Sequence, residues 1–126
     1  MRPSYDRIVS LTETAHRLAP AIAAVLRAVA EDGGLTVDEM LARDNHGPVV
    51  ERRQIAWALA VDLVPGSRDD VVAYLTDRSR TTVVHARQRI RALIETEPHT
   101  AAAVDRAREA ARRALQALSN PAPATT

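Results

Sequence analysis

The sequence predicts an all-α fold, a helical bundle, on three observations. Apolar residues recur at intervals of three and four through most of the chain, Gly and Pro fall between those runs, and no convincing strand is found. With 126 residues, 46% of them hydrophobic, the chain is long enough for one domain with a buried core.

The elements follow in order. Ile8, Leu11, Ala15 and Leu18 predict a helix over 4–18. Pro20 is expected to reset the chain and open a second helix to about Ala30, with Ile22, Val25, Leu26 and Val29 inward. Gly33 and Gly34 end it, because glycine takes the left-handed C-cap conformation at little cost. Thr36 and Glu39 have capping-box spacing before a short helix that buries Val37, Met40 and Leu41. Residues 43–48 form a polar loop.

The helix from Val50 to Val64 carries Ile55, Ala56, Trp57, Leu59, Val61 and Leu63, which makes it the expected centre of the core. After Pro65-Gly66, Ser67 is expected to cap a short helix at 68–75, with Asp69 and Asp70 in its first turn. Val71, Val72 and Leu75 face inward there. A turn over Thr76 to Arg80 leads to a helix at 81–96, whose apolar set is Val83, Ala86, Ile90, Leu93 and Ile94. Pro98 closes it. An alanine-rich helix at 100–118 follows, and 119–126 is expected to be disordered. The thin stripe of that helix (Val104, Ala111, Leu115, Leu118) either covers the domain's own core or pairs with another copy, as does the 4–18 helix.

Composition removes several function classes. All 17 basic residues are arginine, so Schiff-base and Walker A lysines are excluded. The chain has no cysteine, hence no disulfide and no thiolate metal site, which fits a cytoplasmic protein. Aromatic residues are too few, at 2%, for a single-strand stacking platform. No segment reads as a signal or a membrane span. His16, His46, His85 and His99 are scattered without metal-site spacing, and no Ser/His/Asp set or carboxylate pair suggests catalysis. No enzyme, no cofactor and no metal is therefore expected.

Charge is concentrated in one place. Thr76 to Arg91 contains Arg78, Arg80, Arg87, Arg89 and Arg91 against Asp77, about +4 in a chain whose total is +1. A short helix, a tight turn and a second helix with a basic, polar start outline a helix-turn-helix. In that arrangement Ser79, Arg80 and Thr81 meet base edges of duplex DNA, and Arg87 and Arg91 lie nearer the backbone. His85 reads either as phosphate-facing or as a partly buried surface histidine. Trp57, in the most apolar helix, reads as core.

Arg53-Gln54-Ile55-Ala56, followed at fixed distance by Thr81-Thr82-Val83-Val84-His85-Ala86, resembles the C-terminal DNA-binding domain of the bacterial replication initiator DnaA. The resemblance covers about residues 20–97, between a helical extension at 1–19 and the last helix at 98–118. It implies a DnaA C-terminal, Trp-repressor-like bundle that binds double-stranded DNA and regulates replication or transcription in the nucleoid. Carried over by position, Ser79, Arg80 and Thr81 are base contacts, and Arg53, Gln54, Arg78, Thr82 and His85 are phosphate contacts. No G-x-x-x-x-G-K-[ST] occurs, so neither nucleotide binding nor ATPase activity is expected, and the chain reads as a stand-alone relative.

The departures have consequences. The family's Asp-His pair is Ser79-Arg80, which implies a different base preference. Its two glycines are Thr76 and Asp77, which alters the turn and adds an acid. Arg43-Asp44-Asn45-His46-Gly47 is a depleted basic loop, and Glu51 replaces a basic residue. Fewer phosphate contacts mean weaker, less salt-sensitive binding. The alternative is a protein-interaction module on the same fold, and a homodimer through the terminal helices would restore DNA contacts by avidity.

Overall fold

A computed structural model describes residues 5–43 and 46–120. Within them lie six helices and no strand: α1 (Tyr5–Asp32), α2 (Val37–Leu41), α3 (Gly47–Leu63), α4 (Asp69–Leu75), α5 (Arg80–Thr96) and α6 (Pro98–Ser119). The all-α bundle is as expected. Asp44 and Asn45 of the basic loop, the side chain of Ile8 and the tail beyond Asn120 lie outside the described residues.

The expected break at Pro20 does not occur. α1 runs through it as one helix. Leu11, Ala15, Leu18, Ile22, Val25 and Val29 step by four and three without losing register, so a single stripe faces the core on both sides of the proline. A proline inside a helix costs about 3 kcal/mol. Full burial of side chains such as Ile22, Val25 and Val29 contributes about 1.5–3 kcal/mol each, and losing register would forfeit it. Pro20 and His16 are both exposed, so water can serve the His16 carbonyl that the proline leaves without an amide donor.

α3 is the central helix, buried nearly all round through Ile55, Ala56, Trp57, Ala58, Leu59 and Ala60, and it touches every other helix. α6 lies along α1 and α5, with Ala103, Val104, Ala107 and Ala111 buried. Its apolar stripe therefore covers the domain's own core. Small alanines let the helix axes approach closely, which is why a thin stripe suffices. Pro98 ends α5 and also opens α6, with Glu97 as C-cap of one and N-cap of the other.

Local chemistry sets the other boundaries. The Thr36–Glu39 capping box forms in both directions, at 3.1 and 3.0 Å. α1 ends in a Schellman motif: Gly34 at φ +73°, with Leu35 N–H donating to Ala30 O and Gly34 N–H to Glu31 O. One expected cap is absent. The N-cap of α4 is Arg68, and the hydroxyl of Ser67 is buried without a protein partner, because the chain enters the helix one residue later than expected. Asp69 and Asp70 do occupy its first turn.

Candidate nucleic-acid interface

α4, the turn over 76–79 and α5 make a helix-turn-helix whose geometry is set at the turn. α4 ends in a second Schellman motif, with Arg78 N–H on Ala73 O at 2.9 Å and Asp77 N–H on Tyr74 O at 3.4 Å. Here the left-handed position holds Asp77, at φ +55°. The tight turn thus survives the replacement of glycine. Thr76 is buried and donates its hydroxyl hydrogen to Val72 O at 2.8 Å.

Ser79 is the N-cap of α5. Its Oγ accepts from the Thr82 amide at 3.2 Å and lies 2.8 Å from the Thr82 hydroxyl. Arg80 and Thr81 follow at the exposed tip of the helix, and their side chains make no hydrogen bond or ion pair among the described residues. Val83, Ala86 and Ile90 bury the opposite face. The first helical turn therefore presents its unpaired amides, an arginine and a hydroxyl to solvent.

Beside this tip runs a groove of about 580 Å³ whose rim includes Arg43, Gln54, Arg78, Thr82, His85 and Arg89. Thr82, His85 and Arg89 stand three and four apart, one face of α5. Arg78 bridges the floor and the turn. It donates to Leu41 O at 2.7 Å and Thr76 O at 3.0 Å, and its guanidinium lies 5.7 Å from the Trp57 ring centroid. Partial burial, followed by the positive charges of Arg43 and Arg53, pulls the Arg78 pKa below the ordinary arginine value, with Asp77 opposing. The groove is a place of positive potential. Trp57 is core, as expected, at 3% exposure.

Besides Arg78, two more arginines expected at phosphates are held by protein groups. Arg53 is buried, with Nε donating to Met40 O at 2.8 Å and Nη2 to Ala42 O at 2.7 Å. Arg87 bonds to Asp69 at 2.9 Å and lies 3.5 Å from Asp62, tying α5 to α4 and α3 on the side away from the groove. Arg89 takes the groove-facing place instead. The spacing 82–85–89 carries that signal in the sequence. Glu51 turns toward α6, where it accepts from the Thr100 hydroxyl at 3.2 Å. Asp77 pairs loosely with Arg43 at 3.4 Å, both largely exposed. Among the described residues, no group of three His, Asp or Glu side chains is placed to hold a metal ion, and no helix is long and apolar enough to cross a membrane.

A short helix, a tight turn and a second helix with an open, cationic tip define a helix-turn-helix domain of the DNA-binding class. A model of the family described as the bacterial dnaA protein helix-turn-helix matches residues 22–90. The chain belongs to that family. The match begins in the second half of α1 and ends within α5, so the first half of α1 and all of α6 lie outside it. A domain of this kind is a DNA-binding module and not an enzymatic fold.

Proposed function

We propose that this protein binds double-stranded DNA by placing the start of α5 in the major groove, and that it regulates replication initiation or transcription without ATP hydrolysis of its own. The observation that carries this reading is the exposed pair Arg80 and Thr81 at the α5 tip, whose side chains are unpaired, beside a groove lined by Arg43, Arg78 and Arg89. Arg80 has the fork geometry for the O6 and N7 of guanine, and Thr81 suits a neighbouring base edge. Ser79, occupied as the cap, sets the angle of that tip. Gln54, Thr82, His85 and Arg89 contact phosphates along the groove. Arg78 adds charge from its floor, and Arg53 and Arg87 hold the frame.

A cytoplasmic place on the nucleoid goes with this reading. A homodimer through α6 would use exposed Leu118, since the helix's main stripe packs on α1.

Selection of bound duplexes from a random pool, followed by gel shifts at several salt concentrations, tests the proposal. Arg80→Ala and Thr81→Ala are expected to lower discrimination between the selected and a scrambled duplex, by about 1–3 kcal/mol for a good base contact. No salt-sensitive retardation at micromolar protein would refute it and favour the protein-interaction alternative.

A further inference from the structure

We infer that α6 adds a second phosphate-binding cleft to the DNA face, one that takes the backbone flanking the sequence read by α5. The inference rests on the DNA-binding reading above. The cleft, of about 610 Å³, lies between α3, α5 and α6, and its lining includes the guanidinium groups of Arg89 and Arg106 and the imidazole of His99, all hydrogen-bond donors. These three side chains are exposed and make no hydrogen bond or ion pair among the described residues. They come from two helices. His99 and Arg106 stand seven residues apart on α6, two turns along one face, with the small Ala103 between them as floor. Arg89 faces them from α5.

The negative and paired groups there are accounted for. Glu51 lines the cleft and keeps its negative charge, since the Thr100 hydroxyl that donates to it at 3.2 Å carries none, but Arg89 and Arg106 outnumber it. Arg52 also lines it and is neutralised by Asp32 at 3.0 Å. Asp32, Asp105 and Glu109 share a separate depression with Arg106, outside the cleft lining. Two unpaired guanidiniums, those of Arg89 and Arg106, therefore stand against one carboxylate in the cleft.

Continuity selects a polyanion as the occupant. Val50, Gln54 and Arg89 line both this cleft and the groove beside the α5 tip. The cationic path thus runs unbroken from Arg78 to Arg106, and a backbone with a phosphate at every step follows such a path. His99 and Arg106 lie outside the family match, which ends at residue 90. They lie across the cleft from Gly47, the last residue of the depleted basic loop, and offset part of its missing charge.

The test compares the full chain with a His99→Ala, Arg106→Ala double variant on the selected duplex. Both residues are exposed, so the fold is expected to hold, and circular dichroism checks that it does. The slope of log K against log salt should become shallower, by about 0.9 for each phosphate that the variant no longer neutralises. Sequence ranking should stay unchanged. Trimming the flanking base pairs should weaken the parent protein and leave the variant unaffected. An unchanged slope and an unchanged response to trimming would overturn the cleft, even where Arg80→Ala still reduces discrimination. If the parent shows no salt-dependent affinity for any duplex, the cleft falls together with the DNA-binding reading.

Discussion

Arg53 of α3 reaches across to the α2 segment and donates its Nε hydrogen to the Met40 carbonyl at 2.8 Å, while a second nitrogen meets Ala42 O at 2.7 Å. This contact fixes the short helix against the core and closes a polar gap that α2, with only five residues, cannot close itself. Arg53→Ala would leave two carbonyls without their charged donor. The expected outcome is a loss of about 3 kcal/mol in a urea unfolding series. Arg53→Lys should recover only part of it, since a single ammonium cannot span both acceptors as a fork does.

Asp77 invites a stabilising change. It occupies the same left-handed position in its Schellman motif that Gly34 fills at the end of α1. A side chain there costs roughly 1 kcal/mol. Asp77→Gly should raise the thermal midpoint and also tighten DNA binding, because a carboxylate beside the tip is removed. Asp77→Ala separates the two effects. It should improve DNA binding without gaining stability.

Arg87 is expected to behave as a frame residue. Its pairs with Asp69 and Asp62 are partly shielded from solvent, so Arg87→Ala should cost about 1–2 kcal/mol of stability. The salt slope of DNA binding should not change. Arg89→Ala should do the reverse, with stability near that of the parent and a shallower slope.

Glu39 gives a pH dependence with a definite sign. The Thr36 backbone amide, and secondarily its hydroxyl, hold the Glu39 carboxyl below the usual carboxylate pKa. A folded-state pKa below the unfolded one means that the stabilisation is present above the ordinary carboxylate range. It is lost as pH falls through the folded value. The urea midpoints of the parent and Glu39→Ala should therefore differ at neutral pH and converge in acid.

Part of this architecture is legible from periodicity alone. The α3 run from Ile55 to Leu63 and the α5 set Val83, Ala86 and Ile90 are long amphipathic patterns, and both helices form there. The stripe through Leu18 and Ile22 is equally legible, yet Pro20 argues locally for a break. Burial of the whole stripe outweighs one missing hydrogen bond. Helical spacing also holds the fate of Arg53, since Ala56 and Trp57 lie three and four residues on and are both buried.

By itself, the sequence determined the helices (apart from the continuity of α1 through Pro20), the tight turn and the concentration of arginine around it, because these depend on neighbours along the chain. Which arginines remain available to a phosphate was decided by tertiary structure alone. Arg53 and Arg87 find carbonyls and carboxylates up to 25 residues away in sequence, whereas Arg80, Arg89 and Arg106 do not. A guanidinium binds the nearest strong acceptor, and only the packing of one helix against another brings that acceptor near.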